Sequence, residues 1–137
     1  MNDVRSLAEL LDSPNAEIRA RTAYAMRFLA PKLPRDVAEQ LAAAAEAEPP
    51  SLQRVYLISA AYVTVLDAEQ EAQFKKQLLQ YARSGNTAEK CEAAAALAIR
   101  GTSEVLPQLR ELLHDSDADV QVSAAHAILR IDPPRST

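Results

Sequence analysis

The sequence predicts an all-α fold, an α-solenoid of four helical hairpins that together contain eight helices. The 137 residues include 27 alanines and only two glycines, a composition that favours helix along the whole chain. Prolines, glycines and polar turn or capping residues divide the sequence into segments of roughly 10–17 residues with helical periodicity. In addition, the first and last hairpins align without a gap at an offset of 102 residues, which equals three units of 34.

Each predicted helix lies between residues that favour turns or caps. Pro14 follows the first helix, while Ser51 and Asp67 precede the fourth and fifth, where their side chains are expected to cap the first turn. Gly85 and Gly101 are expected to end the fifth and sixth helices, because glycine accepts the conformation that follows a helix. The expected helices are Asp3–Asp12, Ala16–Ala30, Arg35–Ala47, Leu52–Leu66, Ala68–Ser84, Thr87–Arg100, Ser103–His114 and Ala118–Ile131.

The repeat is clearest in the apolar positions of the two outer hairpins. At the offset of 102, Leu10 falls on Leu112, Ile18 on Val120 and Met26 on Ile128. The two middle hairpins fit less well, and the sixth helix needs a gap of about three residues to align with the eighth. A single hairpin has too little apolar surface for a core of its own, so the hairpins are expected to stack.

The last hairpin resembles the HEAT-repeat family of armadillo-type proteins. Its first helix follows the pattern L-P-x-L-x-x-L-L-x-D from Leu106 to Asp115, and its second follows V-R-x-x-A-A-x-A-L from Val120 to Ile128. The arginine of the second pattern is present in the first hairpin as Arg19, but Gln121 replaces it in the last. The period of 34 also fits tetratricopeptide repeats, whose Gly-x-x-Tyr motif is missing. The resemblance implies one HEAT-like domain over residues 1–132, with units at about 1–31, 34–66, 67–101 and 102–132 and a loose tail at 133–137.

The periodicity also predicts which side chains form the core. On the second helix, Ile18, Ala25, Met26 and Leu29 are expected to face inward. The residues expected to be buried across the whole chain are Leu10, Ile18, Leu57, Leu78, Leu97, Leu112, Val120 and Ile128.

Charge and cysteine content exclude several functional classes. The net charge is −4, and residues 101–137 hold three arginines against six carboxylates, a local charge of −3, so the basic footprint of a nucleic-acid-binding protein is missing. The single cysteine, Cys91, suits a reducing compartment, and a cytoplasmic location is expected. No apolar run approaches the roughly 18 residues of a membrane span, so no membrane partner is expected.

The residues that could act in catalysis or bind a metal have simpler structural interpretations. His114 lies at a helix end, where a cation favours the helix dipole, and Cys91 has no base beside it in sequence. Asp115, Asp117 and Asp119 alternate as in a calcium loop but lack its glycine and glutamate, so they fit a turn before the eighth helix. We therefore expect no enzyme activity, no cofactor and no metal.

The remaining indication of function comes from the outer surface of the second helices. The resemblance to HEAT repeats implies that second helices line a concave face, which commonly binds partners. The residues expected on this face are rich in arginine and tyrosine, the types enriched at the energetic centres of interfaces. They are Arg21, Tyr24, Arg27, Phe28, Arg54, Tyr62 and His126.

This pattern predicts an adaptor or scaffold that binds another protein with an acidic or apolar surface. Two alternatives stay open at this point. The chain could be the accessory subunit of an enzyme, as in HEAT-like lyase proteins, or a structural protein that self-associates, for example as a homodimer through an exposed end.

Overall fold

The computed structural model describes residues 3–29 and 33–135, and over these ranges the chain is helical, with no strand. The predicted all-α class is therefore confirmed for the described part of the chain. Its α-helices are α1 (Asp3–Glu9), α2 (Ala16–Arg27), α3 (Arg35–Ala47), α4 (Leu52–Thr64), α5 (Ala68–Ser84), α6 (Thr87–Arg100), α7 (Leu106–Leu112) and α8 (Ala118–Ile131).

Local side-chain chemistry sets where most helices begin. Asn15 caps α2 by accepting hydrogen bonds from the backbone N–H groups of Glu17 and Ile18. Ser51 and Asp67 cap α4 and α5 as predicted, accepting from the N–H groups three residues later. A reciprocal capping box lies at the start of α6, where Asn86 accepts from the Glu89 N–H and the Glu89 carboxylate accepts from the Asn86 N–H.

The two glycines end their helices for different reasons. Gly101 has φ = 68°, a left-handed conformation that places it as the C-cap of α6, as expected for glycine. Gly85 does not have a positive φ. A Cβ atom there would lie 2.6 Å from the carbonyl oxygen of Tyr81 and 2.8 Å from the Cβ of Glu89. Glycine at 85 is thus favoured by the close approach of α5 and α6.

Helix boundaries agree with the prediction for α3, α5, α6 and α8 and differ elsewhere by a few residues. The segments Leu10–Asp12 and Ser103–Val105, predicted as parts of longer helices, are 3-10 turns next to α1 and α7. The second helix ends at Arg27 and the fourth at Thr64, and the predicted end at Ala30 lies outside the described residues. Tight 3-10 turns are common at helix ends.

By its contacts the chain divides into two compact units, residues 1–74 and 75–137, with the boundary inside α5. In the first unit α2 and α3 both pack against α4, and α1 packs against α3. Alanines at the contacts allow the helices to approach closely. The side chains fully enclosed in this unit include Leu11, Met26, Leu41, Leu57, Ile58 and Tyr62.

In the second unit α8 packs against both α6 and α7. Leu78, Leu97 and Leu109 are fully buried there, as are Ala93 and Ala94 of α6 and Ala124 of α8. The division of the chain into four repeats within one domain stays a prediction, since it rests on the sequence alone.

Most of the predicted core is buried, but two members are not. Leu57, Leu78, Leu97, Leu112 and Val120 are buried as expected, and Ile128 is half-buried. Leu10 and Ile18 are exposed, as is Ala25, so their assignment to the core was wrong. The reason is that α2 buries the side that carries Ala20, Ala23 and Met26 against α4, and no described helix covers the side that carries Ile18 and Ala25.

A candidate protein-interaction surface

The outward side of α2 carries the most exposed aromatic side chain of the described residues, Phe28, which is 65% exposed. Tyr24, one turn earlier, is 42% exposed, and Arg27 beside it is half-buried. Residues four apart on a helix are neighbours on its surface, so Tyr24 and Phe28 lie side by side. The sequence prediction that Tyr24, Arg27 and Phe28 share one side of the helix agrees with this arrangement.

These three side chains, with Tyr56 from α4, form a compact group that we call the aromatic–arginine cluster. The Tyr24 ring lies edge-on to the Phe28 ring at 5.1 Å between centroids, and edge-on to the Tyr56 ring at 5.7 Å. The guanidinium carbon of Arg27 lies 4.9 Å from the centroid of the Tyr24 ring and 5.4 Å from that of Phe28. Edge-to-face ring pairs and cation–π contacts at these distances are attractive.

The cluster combines exposed apolar area with a positive charge whose position is fixed. Stacking on two rings restricts the Arg27 side chain, so less conformational entropy is lost when a partner binds it. Aromatic rings also lose little entropy because only two torsions position them. The arrangement can therefore bury apolar groups of a partner and pair with a carboxylate at its edge.

Tyr56 is the member of the cluster that the sequence analysis missed. It lies one turn after Gln53, which donates a hydrogen bond from Nε2 to the Glu17 carboxylate of α2 at 3.2 Å. Both residues are therefore on the side of α4 that faces α2. In the sequence, the spacing of three between Gln53 and Tyr56 indicates that the two side chains lie on the same side of α4.

Tyr62 is not part of this surface, which corrects its assignment as a binding residue. It is fully buried, because α4 packs against both α2 and α3 and has little free surface beyond its first turn. Its six-residue distance from Tyr56 corresponds to 600°, about 120° away from Tyr56 around the helix axis. The two tyrosines of α4 thus face different environments.

The two further arginines predicted for this surface differ in their availability. The Arg21 side chain is 80% exposed and donates from Nε to Glu17 at 3.0 Å, a spacing of four on the helix. The hydrogen bonds from Arg21 and Gln53 lower the pKa of the Glu17 carboxyl, so it stays ionised beside the arginine. Arg54 is half-buried, and its Nε atom is enclosed without an acceptor among the described residues.

His126 is exposed on α8, in the second compact unit, whereas the aromatic–arginine cluster belongs to the first. Val122 and Leu129 lie four residues before and three after it, and both are strongly exposed. Spacings of three and four place all three side chains on one face of α8.

The acidic residues between α7 and α8 have a structural role. The Asp117 side chain caps α8 by accepting from the Asp119 N–H, and Asp115 accepts from the Asp117 N–H at 2.9 Å. Asp115 also accepts from Lys90 Nζ at 2.6 Å, and these hydrogen bonds lower the pKa of its carboxyl. Within residues 3–29 and 33–135, no three or more His, Cys, Asp and Glu side chains gather as a metal site would require.

The other candidates for chemistry belong to the second compact unit. His114 is exposed after α7, and Cys91 is half-buried near the start of α6. None of the described helices is both long and apolar enough to span a bilayer.

Residues 3–29 and 33–135 form consecutive helices without a strand, which defines an all-α protein. Residues 76–137 match the family model of HEAT repeats. This segment, 62 of the 137 residues, is therefore similar to HEAT repeats, and the match together with the helical structure fits an all-α solenoid. HEAT repeats generally mediate protein–protein interaction. Comparisons with curated proteins and with solved structures give no match.

Proposed function

We propose that this protein is a non-enzymatic adaptor that binds a partner protein through the aromatic–arginine cluster of Tyr24, Arg27, Phe28 and Tyr56. The observation that supports it is the exposure of Phe28 and Tyr24 beside a guanidinium held in place by their rings. Exposure of large aromatic side chains to water is less favourable than their burial. Groups of such exposed side chains mark interaction sites. The lone Cys91 fits an adaptor of the cytoplasm.

The chemistry of the cluster indicates what the partner presents. Two exposed rings favour an apolar side chain inserted between or against them, and Arg27 favours an adjacent carboxylate. Arg21 extends the positive edge of the surface, although Glu17 neutralises part of its charge. We therefore propose a partner segment in which one or two apolar residues are flanked by Asp or Glu. Its affinity should fall with added salt, because exposed charge pairs are screened.

The test uses selection from a library of displayed random peptides on the immobilised chain. The expected result is enrichment of peptides with aspartate or glutamate next to apolar residues. The double variant Tyr24→Ala/Arg27→Glu should reduce the affinity of the selected peptides at least tenfold, as loss of a central aromatic and reversal of a paired charge does at interfaces. Both residues have solvent-accessible surface, so circular dichroism and thermal melting should stay close to the wild type.

The matched control is Leu66→Ala/Arg35→Glu, which makes an equal charge change and removes an exposed apolar side chain elsewhere. This control should bind the selected peptides with unchanged affinity. Equal binding by the wild type and the Tyr24→Ala/Arg27→Glu variant would show that the cluster is not the binding surface. Enrichment of basic peptides would contradict the proposed partner chemistry.

A further inference from the structure

Equivalent positions in the first and last hairpins differ in burial in a systematic way. Leu10 is 44% exposed, whereas Leu112, its equivalent at the offset of 102, is 6% exposed. Ile18 is also exposed, while its equivalent Val120 is fully buried. Ala25 and its equivalent Ala127 differ in the same way. We call the exposed set of Leu10, Ile18 and Ala25 the N-face, because it belongs to the first hairpin.

The opposite difference occurs on the other side of the same hairpins. Val122 is 68% exposed, whereas its equivalent Ala20 is 4% exposed. Leu113 is exposed and its equivalent Leu11 is buried, and Leu129 is exposed at the position that Arg27 holds half-buried in α2. We call the exposed set of Leu113, Val122 and Leu129 the C-face. One side of the repeat is open in the first hairpin, and the other side is open in the last.

Contacts within each compact unit show what normally covers these two sides. In the first unit, α4 of the second hairpin covers the side of α2 that corresponds to the C-face. In the second unit, α6 of the third hairpin covers the side of α8 that corresponds to the N-face. The C-face of one hairpin and the N-face of the next are therefore the two halves of the same contact. The surface complementary to each open face is present on another copy of this chain.

A polar contact accompanies this packing in both units. Arg19, the fourth residue of α2, pairs with Glu48 before α4 at 2.7 and 2.8 Å. Lys90, the fourth residue of α6, pairs with Asp115 before α8 at 2.6 Å. The fourth residue of α8 is Gln121, which is equivalent to Arg19. In the first hairpin, Ser13 occupies the position equivalent to Asp115. The two open faces therefore carry neutral residues at the positions of the ion pair.

The charges of the two hairpins also favour contact between unlike ends. Residues 1–34 carry five basic and four acidic side chains, a local charge of +1, whereas residues 101–137 carry −3. Two C-faces in contact would bring like charges together, and such contacts are disfavoured. We propose that the chain self-associates head to tail, with the C-face of one copy packed against the N-face of another. A heterologous contact of this kind extends into chains or closes into rings.

The experiment uses the purified chain in sedimentation velocity over a wide concentration range. The wild type should form species larger than a dimer, while Ile18→Glu and Val122→Glu, each with one face blocked, should be monomeric when measured separately. An equimolar mixture of the two variants should form a one-to-one dimer and nothing larger, because only one compatible pair of faces remains. Leu66→Glu, an equivalent change at an exposed leucine outside both faces, should associate like the wild type.

A gain of association provides an independent test. Ser13 Oγ accepts from the Asn15 N–H as Asp115 accepts from the Asp117 N–H, so Ser13→Asp preserves the turn. Gln121 donates to the Asp115 carbonyl as Arg19 donates to the Ser13 carbonyl, so Gln121→Arg preserves that hydrogen bond. The double variant should associate about tenfold more tightly than the wild type, as a new charge-assisted hydrogen bond would give, and neither single variant should gain.

Three results would overturn the inference. A wild type that stays monomeric at every concentration would show that the faces do not associate. Persistent dimers of Ile18→Glu would indicate a symmetric contact between two C-faces, and absence of a dimer in the mixture would exclude head-to-tail pairing. These measurements involve no partner protein, so they are independent of the outcome for the aromatic–arginine cluster.

Discussion

Leu112 and Leu113 are adjacent leucines at the end of α7, and replacing each with alanine tests the register of the last hairpin. Leu112 is buried, whereas Leu113 is exposed on the C-face. The substitution removes three carbon atoms at either position and hardly changes helix propensity. Because both residues lie in the same compact unit, the same unfolding transition reports on both changes.

The expected costs follow from the burial of the two side chains. Three carbon atoms at about 0.8 kcal/mol each give about 2.4 kcal/mol for Leu112→Ala, and the cavity left behind raises the total above this value, up to about 5 kcal/mol. Leu113 is 39% exposed, so only about three fifths of that transfer energy is lost, about 1.4 kcal/mol, and water fills the space. Leu112→Ala should thus be the more destabilising change by at least about 1 kcal/mol.

The measurement is urea unfolding followed by circular dichroism, with the free energy of unfolding obtained by linear extrapolation. The protein concentration should be low, so that self-association does not stabilise the C-face residue. Equal losses for the two variants, or a larger loss for Leu113→Ala, would refute the assigned burial and with it the distinction between the covered and open sides of the hairpin.

Two further predictions concern local features of the second unit. Gly101→Ala should lower the free energy of unfolding by about 1–2 kcal/mol, because φ = 68° is unfavourable for a residue with a Cβ atom. Gly101→Asn should cost less. Equal stability of Gly101→Ala and the wild type in urea unfolding would contradict this prediction. Hydrogen bonds from Lys90 and the Asp117 backbone lower the pKa of Asp115 in the folded state below its ordinary value of 3.8. The ionised carboxyl therefore stabilises the fold at pH values above 3.8, and this stabilisation is lost as the pH falls through the lower pKa of the folded state. Asp115→Asn should therefore lose less stability than the wild type between neutral and acidic pH in the same assay, and an unchanged pH profile would exclude this role.

Features that depend on local sequence could be predicted well. The capping residues Ser51 and Asp67, the left-handed Gly101 and the boundaries of α3, α6 and α8 follow from side chains within a few residues of each helix end. The repeat at an offset of 102 identified equivalent positions, and the positions of Tyr24, Arg27 and Phe28 on one side of α2 followed from helical spacing. Such features require no knowledge of which helices are neighbours.

Burial of the equivalent residues could not be predicted in the same way. The sequence equates Ile18 with Val120, yet one is exposed and the other buried, because α6 covers that side of α8 and no described helix covers it on α2. Likewise, the sequence does not distinguish Tyr56, whose ring contacts that of Tyr24, from Tyr62, which is fully buried. The sequence by itself determined the helices, their caps and the repeat, because these depend on residues close together in the chain. Only the tertiary structure decided which sides of the hairpins are open, because the exposure of a side chain depends on the helices packed around it.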